Sequence, residues 1–310
     1  MTPLNGEAGV QGLGSSAIRA LRFNHEQLTA RGIRHEVIVV EWALQPGHAS
    51  AAELVAAAIP TLVGDQLVSI VIDGKYDEAL RLNAQRGGLD FVARNVGVRR
   101  ARGAFLISTD WGVCFGRGVL RRLADGTIQR AVIYRAPRVD VSIAPSDDGV
   151  RWEDLEDPRN VAGRPQVPQP PLYCEGAGDL ILLDRSTFHR LRGFNEVYRI
   201  AAGGQTENFL VKAFGAGCPL HSLGAPVYHL EATIESATKE RSPALVAGEL
   251  PRHSREVTYN NSESWGLGVA PERALGHGRI QLDFDWSAVP PLVDLNRVVL
   301  PAAAIRSNRR

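Results

Sequence analysis

One stretch, residues 91–117, limits the folds open to this chain more than any other. Its first half places small apolar residues among four arginines, a pattern typical of a helix with one buried side, and Gly103 ends that helix. Residues 104–107 are a short apolar run, as in a strand covered on both faces. Asp110 follows almost at once. Since ligands of open α/β sheets bind beyond the carboxyl ends of the strands, we expect Asp110 to face a ligand.

Two further strand patterns also end in an acid. Residues 35–42 carry four consecutive apolar residues before Glu41, and residues 67–73 end in Asp73. Parallel strands would bring Glu41, Asp73 and Asp110 to one edge of a sheet, where several carboxylates together favour a functional site. The alternative is that each acid only forms the turn at the end of its strand.

The remaining pattern alternates helices with strands and predicts an α/β fold with a central, mostly parallel sheet flanked by helices. Helices are predicted at 16–31, 51–58, 118–124 and 185–191, and strands at 131–134, 180–183 and 225–231.

Composition restricts the function classes. The 310 residues are 44% hydrophobic and 22% charged with a net charge of +1, so we expect a globular protein that presents no nucleic-acid or membrane surface. No apolar run approaches the roughly 20 residues of a transmembrane helix, and the N-terminus lacks a signal-peptide core. The three cysteines are far apart in sequence, which predicts reduced thiols and a cytoplasmic location.

Residues 91–117 resemble the nucleotide-sugar glycosyltransferases of the GT-A fold, in which an Asn-Gly helix precedes a strand that ends in Asp-x-Asp. Asn95 and Gly97 match the helix, Asp110 matches the first acid, and Gly112 stands where the second acid is expected. A Glu-Trp strand ending at residues 41–42 and an Asn-x-x-x-Trp-Gly-Leu segment resemble a family 2-like, bacterial branch of these enzymes. The resemblance implies a Rossmann-like GT-A fold with a degenerate metal motif.

On the donor side, the resemblance implies that a nucleotide-diphosphate sugar lies across the strand ends. The residues that would contact it are Glu41, Asp73, Arg94, Asn95 and Asp110. Asp110 and His229 would hold Mn²⁺ or Mg²⁺, whose charge would stabilise the leaving diphosphate. If no metal binds, Lys75 or Arg99 could neutralise the diphosphate instead. A lone histidine on a strand, such as His229, is also commonly structural.

On the acceptor side, residues 172–231 resemble the second half of the same enzymes, with a glycine-rich turn, a strand, a helix and a Gly-Phe-Asn-Glu turn. The resemblance implies that Glu207 is the catalytic base of an inverting transfer to a small-molecule or glycan acceptor. Thr206 can cap a helix there, and the helix dipole favours an ionised Glu207. The alternative is that Glu207 only stabilises the first helical turn.

Asp179 competes for the catalytic role, and Gly178, Asp179 and Trp265 are candidates for acceptor binding. Each has a structural alternative, which is a turn for Gly178 and Asp179 and core packing for Trp265.

The predicted organisation is one domain with two ends. Residues 1–15 form a flexible N-terminus, residues 16–267 a single GT-A-like domain, and residues 268–310 a tail that wraps it. Within the domain, residues 16–143 bind the nucleotide sugar, residues 144–171 form a long loop, and residues 172–231 carry the acceptor side.

A second function is open. GT-A enzymes begin with an apolar strand, and residues 1–15 contain none. Gly112 in the metal motif is a second departure, and Thr206 is a third, because these enzymes normally carry a Glu-Asp pair at the start of this helix. The three departures favour a catalytically degenerate relative that acts as a binding or scaffold partner. A nucleotidyltransferase ranks lower, because no glycine-rich phosphate loop follows a first strand.

Overall fold

The structure is a computed structural model that describes residues 15–42, 49–62, 64–81, 89–144, 149–163, 170, 180–196, 205–230, 261–276 and 278–289. The predicted flexible N-terminus up to residue 14, the candidates Gly178 and Asp179, and residues 290–310 lie outside these ranges.

Within the described residues, the helices begin and end close to the apolar periodicities of the sequence. They are α1 (Ser15–Ala30), α2 (Ala51–Ala58), α3 (Gly74–Arg81), α4 (Asp90–Arg100), α5 (Arg117–Ala124), α6 (Trp152–Glu156), α7 (Arg185–Arg190) and α8 (Gln205–Gly215). Helix α6 lies inside the segment predicted as a long loop. None of these described helices is long and apolar enough to cross a membrane.

The described strands are three to six residues long. They are β1 (Val37–Trp42), β2 (Leu67–Ile72), β3 (Phe105–Ser108), β4 (Val113–Phe115), β5 (Ile133–Arg135), β6 (Arg138–Val141), β7 (Ile181–Asp184), β8 (Leu220–Ser222), β9 (Val227–Leu230), β10 (Glu272–Gly276) and β11 (Arg279–Leu282). They form three mixed sheets, where the sequence predicted one central and mostly parallel sheet. An apolar run indicates that a strand is buried, but it does not determine which strand pairs with it.

The first sheet has the order β1-β2-β11-β10. β1 and β11 both lie parallel to β2, and β10 forms an antiparallel hairpin with β11. Every residue of β2 is buried, as expected for a strand with neighbours on both sides and helices on its faces. Residues 268–289, which the sequence assigned to a wrapping tail, thus supply two strands of this sheet.

The second sheet has the order β3-β7-β5-β8, and the third has the order β4-β9-β6. β3 lies antiparallel to β7, with Leu106 opposite Leu183. This pairing joins the helix–strand unit of residues 91–117 to the second half of the chain. The largest hydrophobic core lies around the same junction, where α4 packs against α7 and the aromatic rings of Phe188, Phe194 and Phe209.

The turn at Gly193 lies against α4 more closely than any side chain would allow. Gly193 has φ of +69°, and a Cβ atom there would lie 2.7 Å from Cγ of Asn95 and 3.0 Å from the Trp265 ring. Both the left-handed backbone and this close approach favour glycine. The first residue of the Gly-Phe-Asn-Glu turn is therefore glycine because the turn packs directly against α4.

We expect Gly193→Ala to lower the free energy of unfolding by about 2–3 kcal/mol, because it adds backbone strain and overpacking. Urea denaturation followed by circular dichroism would measure the change. The matched control is Gly215→Ala at the end of α8, where a Cβ atom meets nothing within 4 Å. That control should leave stability equal or higher, and equal losses in both variants would contradict the packing argument.

Candidate functional site

The end of β3 is fixed by an ion pair that crosses from α4. The guanidinium of Arg94 donates to Asp110 and, at 2.9 Å, to Oγ of Ser108. Arg94 is buried, whereas 34% of the Asp110 side-chain surface is exposed to solvent. The ring of Phe91 lies under the guanidinium, 5.5 Å from its centre. Helix α4 therefore holds a half-exposed carboxylate at the carboxyl end of β3, where the sequence predicted a ligand site.

Glu41, at the end of β1, is engaged in folding contacts. Its carboxylate accepts hydrogen bonds of 2.8 Å from the backbone N–H of Ala51 and from Oγ of Ser69. Ala51 is the first residue of α2, so the buried carboxylate lies at the positive end of that helix dipole. Glu41 thereby ties β1, β2 and α2 together, and its contact with a nucleoside stays a prediction.

Asp73 follows β2 at the same end of the first sheet as Glu41, since β1 and β2 are parallel. Its Oδ1 atom accepts from the backbone N–H of Lys75 at 2.9 Å, which caps the first turn of α3. Asp73 is partly exposed, so the capping bond leaves part of the carboxylate open to solvent. Its donor-binding role also stays a prediction.

Asn95 uses its side-chain amide to hold the Gly-Phe-Asn-Glu turn. It donates to the Phe194 carbonyl at 2.8 Å and to Glu196 at 2.9 Å, and it accepts from the Phe194 N–H at 2.8 Å. The residue is fully buried. These contacts account for asparagine at this position without a ligand, so contact with the donor remains a prediction for Asn95.

Trp265 lies in the core, where 4% of its surface is exposed. Its ring packs beside Phe188 and His189, and the Arg99 guanidinium lies 5.1 Å from the ring centre. Arg99 also donates to the Trp265 and Glu263 carbonyls. Trp265 thus has a packing role, and its acceptor-binding role stays a prediction. The Arg99 guanidinium is bound to this segment and not to the ends of the strands.

The residues predicted to bind a divalent ion do not fit one. Asp110 is paired with Arg94, and Nδ1 of His229 lies 3.2 Å from the Arg138 guanidinium and 3.9 Å from Asp140. Gly112 replaces the second acid at a backbone φ of +80°, a conformation that disfavours side chains. Within the described ranges, no group of three or more His, Cys, Asp or Glu side chains comes together.

The acceptor-side candidates are described only in part. Glu207 lies in the first turn of α8, as the sequence predicted, and its backbone position alone is described. Gly178 and Asp179 lie outside the described residues. The roles of all three remain predictions.

Sequence reasoning missed a buried polar network beside Asn95. Asn261 donates to the Phe194 carbonyl and accepts from the Glu196 N–H, and Glu196 also accepts from the Gly266 N–H at 2.7 Å. Lys212 of α8 donates its ammonium to the Gly193 carbonyl. The available signal was the position of Lys212 within an otherwise apolar stretch of α8.

Comparison with known proteins gives matches among solved structures alone. No family model matches the chain, and no curated protein matches it. Among solved structures, the chain is similar to the crystal structure of GalNAc-T7 with UDP, GalNAc and Mn²⁺, at 18% sequence identity and a TM-score of 0.42. The matched region covers 65% of this chain and 39% of that chain, so this protein spans well under half of GalNAc-T7.

Lys212 should make stability depend on pH. Burial lowers its pKa from 10.5 to about 7, and the Glu196 carboxylate offsets part of that shift. Between about pH 7 and pH 10 the unfolded chain therefore binds one proton more than the folded chain at this position, so the free energy of unfolding should rise with pH. The slope is at most about 1.4 kcal/mol per pH unit. Urea denaturation across this range would measure it.

The variant Lys212→Met should flatten this rise, because it removes the titrating group. Lys75→Met, which removes an exposed lysine on α3, is the matched control and should keep the slope of the native protein. A native slope that survives in Lys212→Met would show that another group causes it.

Proposed function

We propose that the chain is a glycosyltransferase that moves a sugar from a nucleotide-diphosphate donor to a hydroxyl of a small-molecule or glycan acceptor. The observation that carries this proposal is the Arg94–Asp110 pair at the end of β3. A half-exposed carboxylate held by a buried guanidinium is a preorganised group at the edge where α/β sheets bind ligands. The sequence resemblance around this pair supplies the nucleotide sugar as the ligand class.

In this proposal the donor lies across the carboxyl ends of β1, β2 and β3. Asp110 accepts hydrogen bonds from donor hydroxyls, and Arg94 fixes the orientation of that carboxylate. Glu41 and Asp73 mark the same end of the first sheet. Because the described donor set does not fit a divalent ion, we propose that donor binding does not require one.

The acceptor would be activated by Glu207 in the first turn of α8. The dipole of that helix stabilises a carboxylate at its start, which is the form that accepts a proton from the acceptor hydroxyl. A direct displacement with Glu207 as general base inverts the configuration at the anomeric carbon. Asp179 is the alternative base.

A second candidate function is a catalytically degenerate binding or scaffold partner of the same fold. The backbone at Gly112 favours it. The φ of Gly112 is +80°, and a Cβ atom there would lie 3.3 Å from the Leu230 carbonyl oxygen, so both features disfavour a second acid at this position.

Isothermal titration calorimetry with UDP and GDP, with and without Mn²⁺, separates the two candidates. Similar binding in both conditions supports the metal-free donor site, binding only with Mn²⁺ contradicts it, and no binding of either nucleotide favours the scaffold.

Asp110→Asn should weaken nucleotide-sugar binding by about tenfold or more, because it removes the charge while an amide can still meet Arg94. Asp110→Ala should weaken binding similarly and also cost about 1–2 kcal/mol of stability, since it leaves buried Arg94 without its carboxylate. Asp125→Asn, which changes an exposed acid after α5, is the control. Calorimetry at a temperature where all variants are folded would measure the effect, and unchanged affinity in Asp110→Asn would remove Asp110 from the site.

Glu207→Gln should lower turnover by about 100-fold or more while leaving donor affinity within about twofold, because only the proton acceptor is lost. Glu263→Gln, at an exposed carboxylate, should keep full activity. Turnover would be followed by release of the nucleoside diphosphate from UDP- and GDP-sugars. A fully active Glu207→Gln enzyme would assign the base to another residue, with Asp179 the first to test.

A further inference from the structure

The segment that follows β11 alternates acids with aromatic rings. Residues 283–286 read Asp-Phe-Asp-Trp, and the Trp286 ring is 65% exposed to solvent. The other four tryptophans of the chain are buried or half-buried. A single exposed apolar side chain has no meaning by itself, so the position and the surroundings of Trp286 decide what it does.

Trp286 lies at the edge of the first sheet where α/β folds bind ligands. β1 and β11 both lie parallel to β2, and their last residues, Trp42, Ile72 and Leu282, form one row across the sheet. Just beyond this row, the backbone N–H of Asp73 donates to the Leu282 carbonyl at 3.1 Å. Trp286 follows on the same edge, two strand spacings or about 10 Å from the end of β1.

The segment is held in place from below. The hydroxyl of buried Tyr76 donates to the Asp283 carbonyl at 3.1 Å and accepts from the Asp285 N–H at 2.9 Å. The Phe284 ring packs on Tyr76 with the ring centres 4.9 Å apart, and it meets the Trp286 ring edge to face at 5.0 Å. The exposed indole is therefore fixed before any ligand arrives, which lowers the entropy lost on binding.

The two carboxylates of the segment restrict the chemistry of its ligand. Asp285 accepts from the Ser287 N–H at 2.8 Å, and this hydrogen bond lowers the pKa of the Asp285 carboxyl. Asp283 pairs with Arg273 at 3.2 Å. Both acids are partly exposed, and an ionised carboxylate has about four acceptor positions, so both can still accept from hydroxyl groups. The same charges repel phosphate groups.

The arrangement of the rings also argues against a cationic ligand. Quaternary ammonium groups are bound in cages of several aromatic faces. Here the Phe284 and Trp286 rings touch each other at an interplanar angle of 80°, so they leave no space for a cation between them. Trp286 instead presents one open indole face, which suits a flat, uncharged ring.

We propose that Trp286 is the stacking platform of a binding site for a neutral sugar ring of gluco configuration. Such a ring has axial C–H groups that pack on the indole face and equatorial hydroxyl groups that donate to Asp283 and Asp285. The site is separate from the proposed donor site and is compatible with both candidate functions. It would hold a glycan acceptor beside a transferase centre, or a glycan ligand of a scaffold partner.

Fluorescence titration of the full chain tests the proposal with cellotriose and triacetylchitotriose as probes. Because Trp286 is the most exposed tryptophan, stacking should shift the emission to shorter wavelength. We expect a dissociation constant on the order of 1 mM for at least one of the two trisaccharides. No shift with either probe up to about 20 mM would overturn the proposal. A shift with tetramethylammonium chloride and with neither sugar would assign the ring to a cation and overturn it as well.

Substitutions followed by saturation-transfer NMR locate the site. Trp286→Ala should weaken trisaccharide binding by about tenfold or more, and Trp286→Phe, which keeps an aromatic face, should lose less. Phe214→Ala removes another half-exposed ring, on α8, and should bind the trisaccharides as the native chain does. Native affinity in Trp286→Ala would overturn the proposal.

Titration with UDP separates this site from the proposed donor site. Trp286→Ala should bind UDP as the native chain does, and an equal loss of UDP and trisaccharide binding would overturn the proposal by placing the ring in the donor site. Trisaccharide binding by a native chain that binds no UDP would contradict the donor site and support the sugar platform.

Discussion

Two adjacent buried polar side chains on α4 set the arrangement of the site and of the core behind it. Arg94 extends toward the end of β3 and pairs with Asp110, and Asn95 extends toward the Gly-Phe-Asn-Glu turn. A buried guanidinium or amide without partners destabilises a fold by more than its hydrogen bonds would stabilise it. Helix α4 can therefore pack in this position only if β3 and the turn at residues 193–196 are both in place.

This requirement explains why glycines surround α4. Gly193 lies against the Asn95 side chain, and a Cβ atom at Gly266 would lie 2.8 Å from the Asn95 carbonyl. Both have positive φ, so both the backbone conformation and the close approach select glycine. The segments that carry them come from distant parts of the chain, and α4 brings them together. A change at either glycine would therefore reach the candidate site through α4, without touching a ligand.

The sequence predicted the bounds of helices and strands better than it predicted which strands lie side by side. The predicted helix at 51–58 and the strand at 67–73 appear within a residue of the expected bounds, because apolar period and capping are local properties. The antiparallel pairing of β3 with β7 and the position of β11 beside β2 depend on contacts far apart in the chain, which no local pattern encodes. The same limit applies to the site. Asp110 was found from its place after a strand, whereas its pairing with Arg94 depends on how α4 packs.

The candidate site borders a cavity of about 390 Å³ between β1 and β3, and this links the packing of the two sheets to the site. Asp110 and Trp111 line the carboxyl end of the cavity, and Arg94 holds Asp110 from the opposite side. Arg94 is buried in the packing of α4, so the core behind the site restricts the motion of the Asp110 carboxylate. That carboxylate faces the cavity on one side and is fixed by a charge on the other. Preorganisation of this kind favours ligand binding because less conformational entropy is lost when the ligand arrives.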